Sequence, residues 1–117
     1  MVKAAIIGCG KIAQVRHIPE YLEHQAVNLV GFYDLNEKRA EELAEKYGGK
    51  AYGSVEELLA DPQIDAVYVA SPTYMHYTHS ITMINYGKHV LCEKPVCSNR
   101  EELDLLIEAA KEKQVVF

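Results

Sequence analysis

A short glycine-containing turn near the N-terminus constrains the fold of this chain more than any other feature. The turn reads GCGKIA, with Gly8, Gly10 and Ala13 in the spacing G-x-G-x-x-A. An apolar run at residues 2–7 precedes it and predicts a buried strand, and a helical pattern begins at Ile12. In such a unit the first glycine permits a tight turn, the second lets a pyrophosphate approach the backbone, and the alanine allows close helix–sheet packing. The pattern is short, so it becomes specific only in the right context.

Apolar runs and helical patterns alternate along the rest of the chain. Three further runs predict strands, at residues 26–33, 66–70 and 89–92. Apolar residues recur at i, i+3, i+4 and i+7, which is one face of a helix, at Ala40, Leu43, Ala44 and Tyr47 and again at Leu103, Leu106, Ile107 and Ala110. Strands alternating with helices are parallel and joined by right-handed crossovers. The sequence therefore predicts an α/β fold: a Rossmann-type doubly wound sheet, mostly parallel, with helices on both faces.

Two helix starts carry the S-x-x-E capping box. Ser54 with Glu57, and Ser98 with Glu101, have this spacing. In a capping box the serine and glutamate side chains satisfy amide donors that the helix leaves without partners. We expect helices to begin directly after Ser54 and Ser98.

An acidic residue completes the context of the glycine turn. Asp34 follows the predicted strand 26–33, where it can accept hydrogen bonds from both ribose hydroxyls of an adenosine. The helix that starts after the turn offers free amides and partial positive charge to phosphates. These features favour a dinucleotide-binding turn over a purely structural one. No arginine or serine directly follows Asp34 to receive a 2′-phosphate, which favours NAD over NADP, although Lys38 and Arg39 are nearby.

Two more polar clusters follow predicted strands. SPTYMH at 71–76 follows one strand, and CEKP at 92–95 follows the next. Ligands in parallel sheets bind beyond the carboxyl ends of the strands, where the strand order reverses. Lys94 at this edge could hydrogen-bond a substrate oxygen and stabilise charge during hydride transfer. Taken separately, each cluster is also compatible with a plain turn or a surface Glu–Lys pair.

Together these stretches resemble the signature of one family. GCGKIA at 8–13, Asp34, SPTYMH at 71–76 and GKHVLCEKP at 87–95 occur in the order and at the spacing of the Gfo/Idh/MocA oxidoreductases, which include glucose-fructose oxidoreductase and inositol dehydrogenase. The resemblance spans essentially the whole chain. It implies that residues 1–117 are the dinucleotide-binding domain of an oxidoreductase that transfers hydride between NAD and a sugar, polyol or related alcohol.

The resemblance also implies roles for individual residues. The pyrophosphate would contact the turn residues Gly8, Gly10, Lys11 and Ile12. The remaining cofactor-binding residues would be Asp34 at the adenine ribose, Ser71, Thr73 and His76 along the groove, and Glu93 near the nicotinamide ribose. Lys94 would contact the cofactor and act as the catalytic lysine. A cis Lys94–Pro95 bond, as in some relatives, would aim its side chain into the cleft.

Length and composition exclude several other classes. The 117 residues suit one domain, and 49% hydrophobic with 25% charged residues is typical of an ordinary soluble globular chain. The net charge of −5 argues against a nucleic-acid partner. No apolar run approaches the ~20 residues needed to span a membrane, and no signal-peptide pattern is present, so a cytoplasmic location is expected. Reduced, packed thiols are favoured over a zinc site from Cys92, Cys97 and His89, and we expect no metal.

The end of the chain suggests a missing part. Residues 114–117 read as an apolar strand with nothing after it, which predicts a chain cut at a domain boundary. The resemblance implies a second domain that completes substrate binding and proton transfer and forms much of a dimer interface, so the full-length protein would be a homo-oligomer. Two alternatives are a stand-alone NAD-binding or sensing module and, less favoured, a methyltransferase using S-adenosylmethionine, which would give residues 93–95 no role.

Overall fold

The computed structural model describes residues 1–10, 14 and 18–117. Within them, strands β1 to β5 span Val2–Ile7, Val27–Tyr33, Lys50–Ala51, Ala66–Val69 and His89–Cys92. Helices α1 to α5 span Ile18–Glu23, Glu37–Tyr47, Val55–Ala60, His76–Asn85 and Arg100–Lys113, and a 3-10 turn at Thr73–Met75 precedes α4. The four predicted strands and both predicted helices are confirmed. The predicted face of α2 is buried at Ala40, Leu43 and Ala44. On α5 only Leu106 and Ala110 are buried, and Leu103 and Ile107 are exposed. The two-residue β3 was not predicted, because it is too short to show a period. None of the described helices is both long and apolar enough to cross a membrane.

The strands of the described chain form one parallel sheet in the order β3-β2-β1-β4-β5. The chain runs outward from β1 through β2 to β3, then crosses back to continue on the other side of β1 with β4 and β5. This reversal makes the boundary between β1 and β4 the switch point of the sheet, where ligands bind in folds of this kind. The predicted doubly wound sheet is confirmed.

Helices cover both faces of the sheet. Ala5 and Ile7 of β1 belong to a core that includes Leu58 of α3, Met83 and Ile84 of α4, and Leu106 of α5. Ala4 and Ile6 belong to a second core with Ile18 of α1, Phe32 of β2, and Ala40 and Leu43 of α2. A strand buried on both faces shows a continuous apolar run instead of alternation. This is why β1 and β4 appear in the sequence as apolar runs.

The loops that follow β1 and β4 meet at Gly8. Its φ is +92°, and its N–H donates to the Tyr33 carbonyl at 2.8 Å. A Cβ at this position would lie 2.5 Å from backbone atoms of Ala70 and Ser71. Glycine is therefore required here, both by the positive φ and by the lack of space for a side chain. This close contact sets the separation of the two loops.

Gly10, in the same turn, has the opposite environment. Apart from the adjacent residues of the chain, no atom of the described residues lies within 4 Å of a Cβ built at Gly10. The backbone there is open toward the edge of the sheet, so a ligand can approach it closely.

One helix cap agrees with the sequence and one does not. Ser54 Oγ accepts from the Glu57 N–H at 3.1 Å, as expected for α3. For α5 the prediction was wrong by one residue, because Asn99 is the cap and accepts from the Glu102 N–H at 2.9 Å. Glu102 in turn accepts from the Ser98 N–H at 3.0 Å. The sequence contains two overlapping boxes, and asparagine is as good a cap as serine.

The predicted strand at 114–117 is also wrong. Gln114 adopts φ 57° at the end of α5, and the Val115 N–H donates back to the Ala110 carbonyl at 3.1 Å. The Val116 carbonyl accepts from the Val90 N–H of β5 at 2.9 Å. This bond holds the segment beside β5, but the segment does not form a strand of the sheet.

The two glycines of the turn should respond differently to alanine. Gly8→Ala should lower the free energy of unfolding by more than about 2 kcal/mol, since a strained backbone and overpacking each cost about 1–3 kcal/mol. Gly10→Ala should change it by less than about 0.5 kcal/mol, as open positions do. Urea denaturation followed by circular dichroism measures both. Equal effects at the two positions would contradict the contact between Gly8 and the loop after β4.

The corrected cap of α5 can be tested in the same way. Asn99→Ala should destabilise the chain by about 1 kcal/mol, because it removes the acceptor for a helix amide. Ser98→Ala is the matched control and should have almost no effect, since only the backbone N–H of Ser98 takes part in the cap. A larger loss of stability for Ser98→Ala than for Asn99→Ala would show that Ser98 is the cap.

Candidate functional site

A cleft of about 810 Å³ opens at the carboxyl ends of the strands. Its walls come from the segments that follow β1, β2, β4 and β5 and from the start of α3. All the predicted site residues that the structure describes line it: Gly8, Gly10, Asp34, Ser71, Thr73, His76, Glu93 and Lys94. The other two, Lys11 and Ile12, lie outside the described residues. The fold thus brings four separate sequence clusters to one site.

Asp34 joins the end of β2 to the glycine turn. Its Oδ2 accepts from the Cys9 N–H at 2.7 Å, and its Oδ1 accepts from the Asn36 N–H at 2.8 Å. The side chain is only 13% exposed. A carboxylate offers about four acceptor positions, so each oxygen can still accept one further bond. Asp34 is therefore fixed in orientation while it keeps the capacity to bind two hydroxyl groups.

Arg39 is a site residue that the sequence argument underestimated. Its Nη1 lies 3.8 Å from Asp34 Oδ2, and it lines the cleft while remaining 45% exposed. The prediction considered the residues directly after Asp34. Because α2 is capped by Asn36, its first turn carries Arg39 back over the end of β2. Its position three residues after the helix cap Asn36 is the sequence feature that could have identified Arg39.

Glu93 is fixed by the neighbouring strand. It accepts from the Tyr68 hydroxyl at 2.5 Å, and its N–H donates to the Val69 carbonyl at 2.9 Å. Burial, and after it the hydrogen bond to Glu93, raises the pKa of Tyr68 well above its ordinary value. The carboxylate therefore faces a hydroxyl that stays protonated. Lys94 follows directly and is exposed in the cleft, and the Lys94–Pro95 bond is cis, as expected.

Ser71 pairs with a histidine that the sequence argument missed. Its Oγ lies 2.7 Å from His79 Nδ1, and both residues line the cleft. Burial, and then the neighbouring His76, lowers the pKa of His79. His79 lies one turn after His76 on α4, so the i+3 spacing within the sequence was its signal. Its role is to hold the Ser71 hydroxyl in place.

His76 lies in the wall of the cleft with its ring covered. The residue is 2% exposed. Its Nδ1 is 2.7 Å from the Pro95 carbonyl oxygen, and its Nε2 is 2.7 Å from the Ser71 carbonyl oxygen. Both ring nitrogens thus face backbone, and the ring links the loop after β4 to the loop after β5.

The cysteines take a packing role in the described part of the chain. All three thiols are free, and Cys9 is fully buried beneath the turn. Burial, and after it the charge of Asp34, raises the pKa of the Cys9 thiol from 9.0 to about 12. The described residues contain no group of three or more histidine, cysteine or acidic side chains placed to hold a metal ion.

These features fit a dinucleotide. The open backbone at Gly10 would accommodate a pyrophosphate, and the oriented carboxylate of Asp34 would accept from a ribose. The polar loop after β4 and the Glu93–Lys94 pair line the rest of the cleft. The glycine turn and the loop after β4 lie at the switch point of the sheet, with Asp34 after β2 on one side and the Glu93–Lys94 pair after β5 on the other. A dinucleotide bound in folds of this kind crosses between the two halves at this point.

Comparison with known proteins agrees with this geometry. The family described as "Oxidoreductase family, NAD-binding Rossmann fold" (GFO_IDH_MocA) matches residues 2–117. The chain is 38% identical over 118 residues to scyllo-inositol 2-dehydrogenase (NADP(+)) IolU of Bacillus subtilis, covering 100% of the chain and 36% of that protein. It is 35% identical over 117 residues to myo-inositol 2-dehydrogenase of Thermotoga maritima, covering 99% of the chain and 35% of that protein.

Solved structures show the same fold. KijD10, a 3-ketoreductase from Actinomadura kijaniata in complex with NADP and TDP-benzene, superposes with a TM-score of 0.93 at 29% identity, over 97% of this chain and 35% of that one. An NAD-binding protein from Listeria innocua gives a TM-score of 0.92 at 33% identity, over 99% of this chain and 34% of that one. The chain spans about a third of the length of the relatives it matches. It belongs to the Gfo/Idh/MocA oxidoreductases as their NAD-binding Rossmann domain.

Proposed function

We propose that this chain is the cofactor-binding part of an NAD-dependent dehydrogenase that acts on a sugar, a polyol or a related alcohol. The observation that carries the proposal is the 2.7 Å hydrogen bond between the Cys9 N–H and Asp34, which fixes a ribose acceptor against the glycine turn. The substrate class is supported by the inositol dehydrogenases among the relatives. We further propose a cytoplasmic location and a homo-oligomeric full-length protein, with no nucleic-acid or membrane partner.

The residues of the cleft would contact different parts of the bound cofactor, according to their positions. Gly8 and Gly10, with Lys11 and Ile12, would hold the pyrophosphate, and Asp34 would hold the adenine ribose. The loop residues Ser71 and Thr73 would line the groove between the two ends. The bound nicotinamide would supply the hydride chemistry. Glu93, fixed by Tyr68, would accept from the second ribose.

Lys94 would serve the substrate. Lys94 is exposed and lines the cleft next to Glu93 in the sequence. There it would donate to the substrate oxygen and stabilise the negative charge that develops on that oxygen as hydride leaves or arrives. A base for the hydroxyl proton would come from a second domain, which we propose follows residue 117 in the full-length protein. That domain would also complete the substrate cage.

NAD is the proposed cofactor, because Asp34 would meet a 2′-phosphate with like charge. Arg39 favours NADP instead, because its positively charged guanidinium is 3.8 Å from the same carboxylate and half-exposed. The family name, the NADP-dependent relative and the NADP-bound neighbour are compatible with either cofactor. The balance between one carboxylate and one guanidinium would set the preference.

Substitutions of Asp34 should separate the two cofactors. Asp34→Ala should weaken NAD binding at least about tenfold, or ~1.4 kcal/mol, because both ribose acceptors are lost. NADP should bind the parent chain more weakly than NAD, and Asp34→Asn should improve NADP binding by removing the like charge beside Arg39. Titration calorimetry with each nucleotide measures this, and thermal unfolding checks that the variants are folded. Unchanged NAD affinity in Asp34→Ala would rule out the ribose assignment.

Lys94 should matter for turnover and little for cofactor binding. In the full-length oxidoreductase, Lys94→Ala should lower kcat at least about 100-fold, within the range of about 10²–10⁴ for a positioned catalytic group. Its NAD affinity should stay within about threefold of the parent. Lys38→Ala, an exposed lysine on α2, is the control and should leave kcat unchanged. Normal turnover in Lys94→Ala, measured by NADH absorbance with a panel of polyols, would remove Lys94 from the reaction.

A further inference from the structure

The ring of His76 makes two contacts of the same kind. Nδ1 is 2.7 Å from the Pro95 carbonyl oxygen and Nε2 is 2.7 Å from the Ser71 carbonyl oxygen. Both partners are backbone carbonyls, which accept hydrogen bonds and cannot donate them. A neutral imidazole has one N–H, so it can satisfy only one of these contacts. The other nitrogen would then face an oxygen lone pair to lone pair.

Two other histidines show the opposite arrangement. His24 Nδ1 accepts from the Ala26 N–H at 3.1 Å, and His89 Nδ1 accepts from the Val116 N–H at 2.9 Å. These Nδ1 atoms must be unprotonated to accept. At His24 and His89 the partner of Nδ1 is a hydrogen-bond donor. At His76 the partners of both nitrogens are acceptors, so this ring needs an N–H on each nitrogen.

We infer that His76 is a doubly protonated positioning residue that ties the loop carrying Ser71 to the loop carrying Lys94 and Pro95. Two short hydrogen bonds from a cation to carbonyl oxygens are charge-assisted and stronger than neutral ones. With the ring 2% exposed, water does not compete for either carbonyl. The inference rests on the proposed function only for the role of Lys94.

The groups around His76 have opposing effects on its protonated, charged form. His76 is the first residue of α4, and a helix N-terminus disfavours a cation. Lys94 on the same cleft wall also opposes the charge, whereas Glu93 in that loop favours it. His79, one turn along α4, has a lowered pKa, partly because of His76. Burial also disfavours a charged ring, so the two carbonyl oxygens in direct contact with the ring nitrogens are the groups that favour the second proton.

The linkage holds the backbone next to Lys94. The Pro95 carbonyl is one residue from the lysine, and the Ser71 carbonyl lies beside the Gly8 contact at the switch point. Through these bonds the loop after β5 is held at a set distance from the loop after β4. His76 acts on the reaction through this placement, without touching substrate or cofactor through its ring nitrogens.

The protonation state can be read directly from the unsubstituted chain. Long-range ¹H–¹⁵N correlation spectra at pH 7, above the ordinary histidine pKa of about 6.5, should show hydrogens on both ring nitrogens of His76. His24 and His89 are internal controls and should show an unprotonated Nδ1. An unprotonated nitrogen at His76 would overturn the inference, whether or not the chain binds NAD. Weak or absent NAD binding with a doubly protonated His76 would instead count against the proposed function.

Two variants test the positioning role. His76→Leu removes both donors and should change the backbone amide shifts of both loops, at 71–73 and 93–97. His76→Asn places an amide donor near the Nδ1 position, so its changes should concentrate at 71–73. In the full-length protein His76→Leu should lower kcat by about fivefold or more, since misplacing a catalytic group slows the reaction, and His76→Asn should recover part of that loss. His89→Leu, the same change at the exposed sheet edge, should affect neither loop. If Leu and Asn gave identical shifts and identical kcat, the ring would only fill space.

Discussion

The contact of Gly8 with the backbone of Ala70 and Ser71 is the constraint on which the rest of the site depends. The sheet reverses its strand order between β1 and β4, so the loops after these two strands must leave in different directions from adjacent positions. They do so with no room for a side chain, and Gly8 alone allows this at φ +92°. The close packing sets the width of the cleft floor, and the groups that line it take their positions from there.

Above this floor the polar groups are held by hydrogen bonds to backbone and side-chain partners. Asp34 is oriented by the Cys9 and Asn36 N–H groups, Glu93 by the Tyr68 hydroxyl, and the Ser71 hydroxyl by His79. Each is a polar group fixed before a ligand arrives, and preorganisation of this kind lowers the entropic cost of binding. The exposed Lys94 is the exception, which is consistent with a group that serves a substrate bound above the cofactor.

Most of the fold could be predicted because both sheet faces are buried and the apolar runs are strong. β3 escaped prediction because two residues carry no period, and the cap of α5 was misplaced because Ser98 and Asn99 offer overlapping boxes. The site clusters were found because each follows a strand. Arg39 and His79 were underestimated or missed because helical geometry, rather than adjacency in the sequence, brings them to the cleft. The buried bonds of His76 depend on where Pro95 and Ser71 meet in space, which no spacing encodes.

The central claim is that a dinucleotide binds at the switch point between β1 and β4. Titrating NAD into the ¹⁵N-labelled chain and following backbone amide shifts tests it most directly. We expect the largest shifts at Gly8 and Gly10, at Asp34, in the loop 71–73 and at Glu93 and Lys94. Shifts confined to the second, apolar cavity, which includes Leu91 and Phe117 in its lining, or no shifts at millimolar NAD, would contradict it.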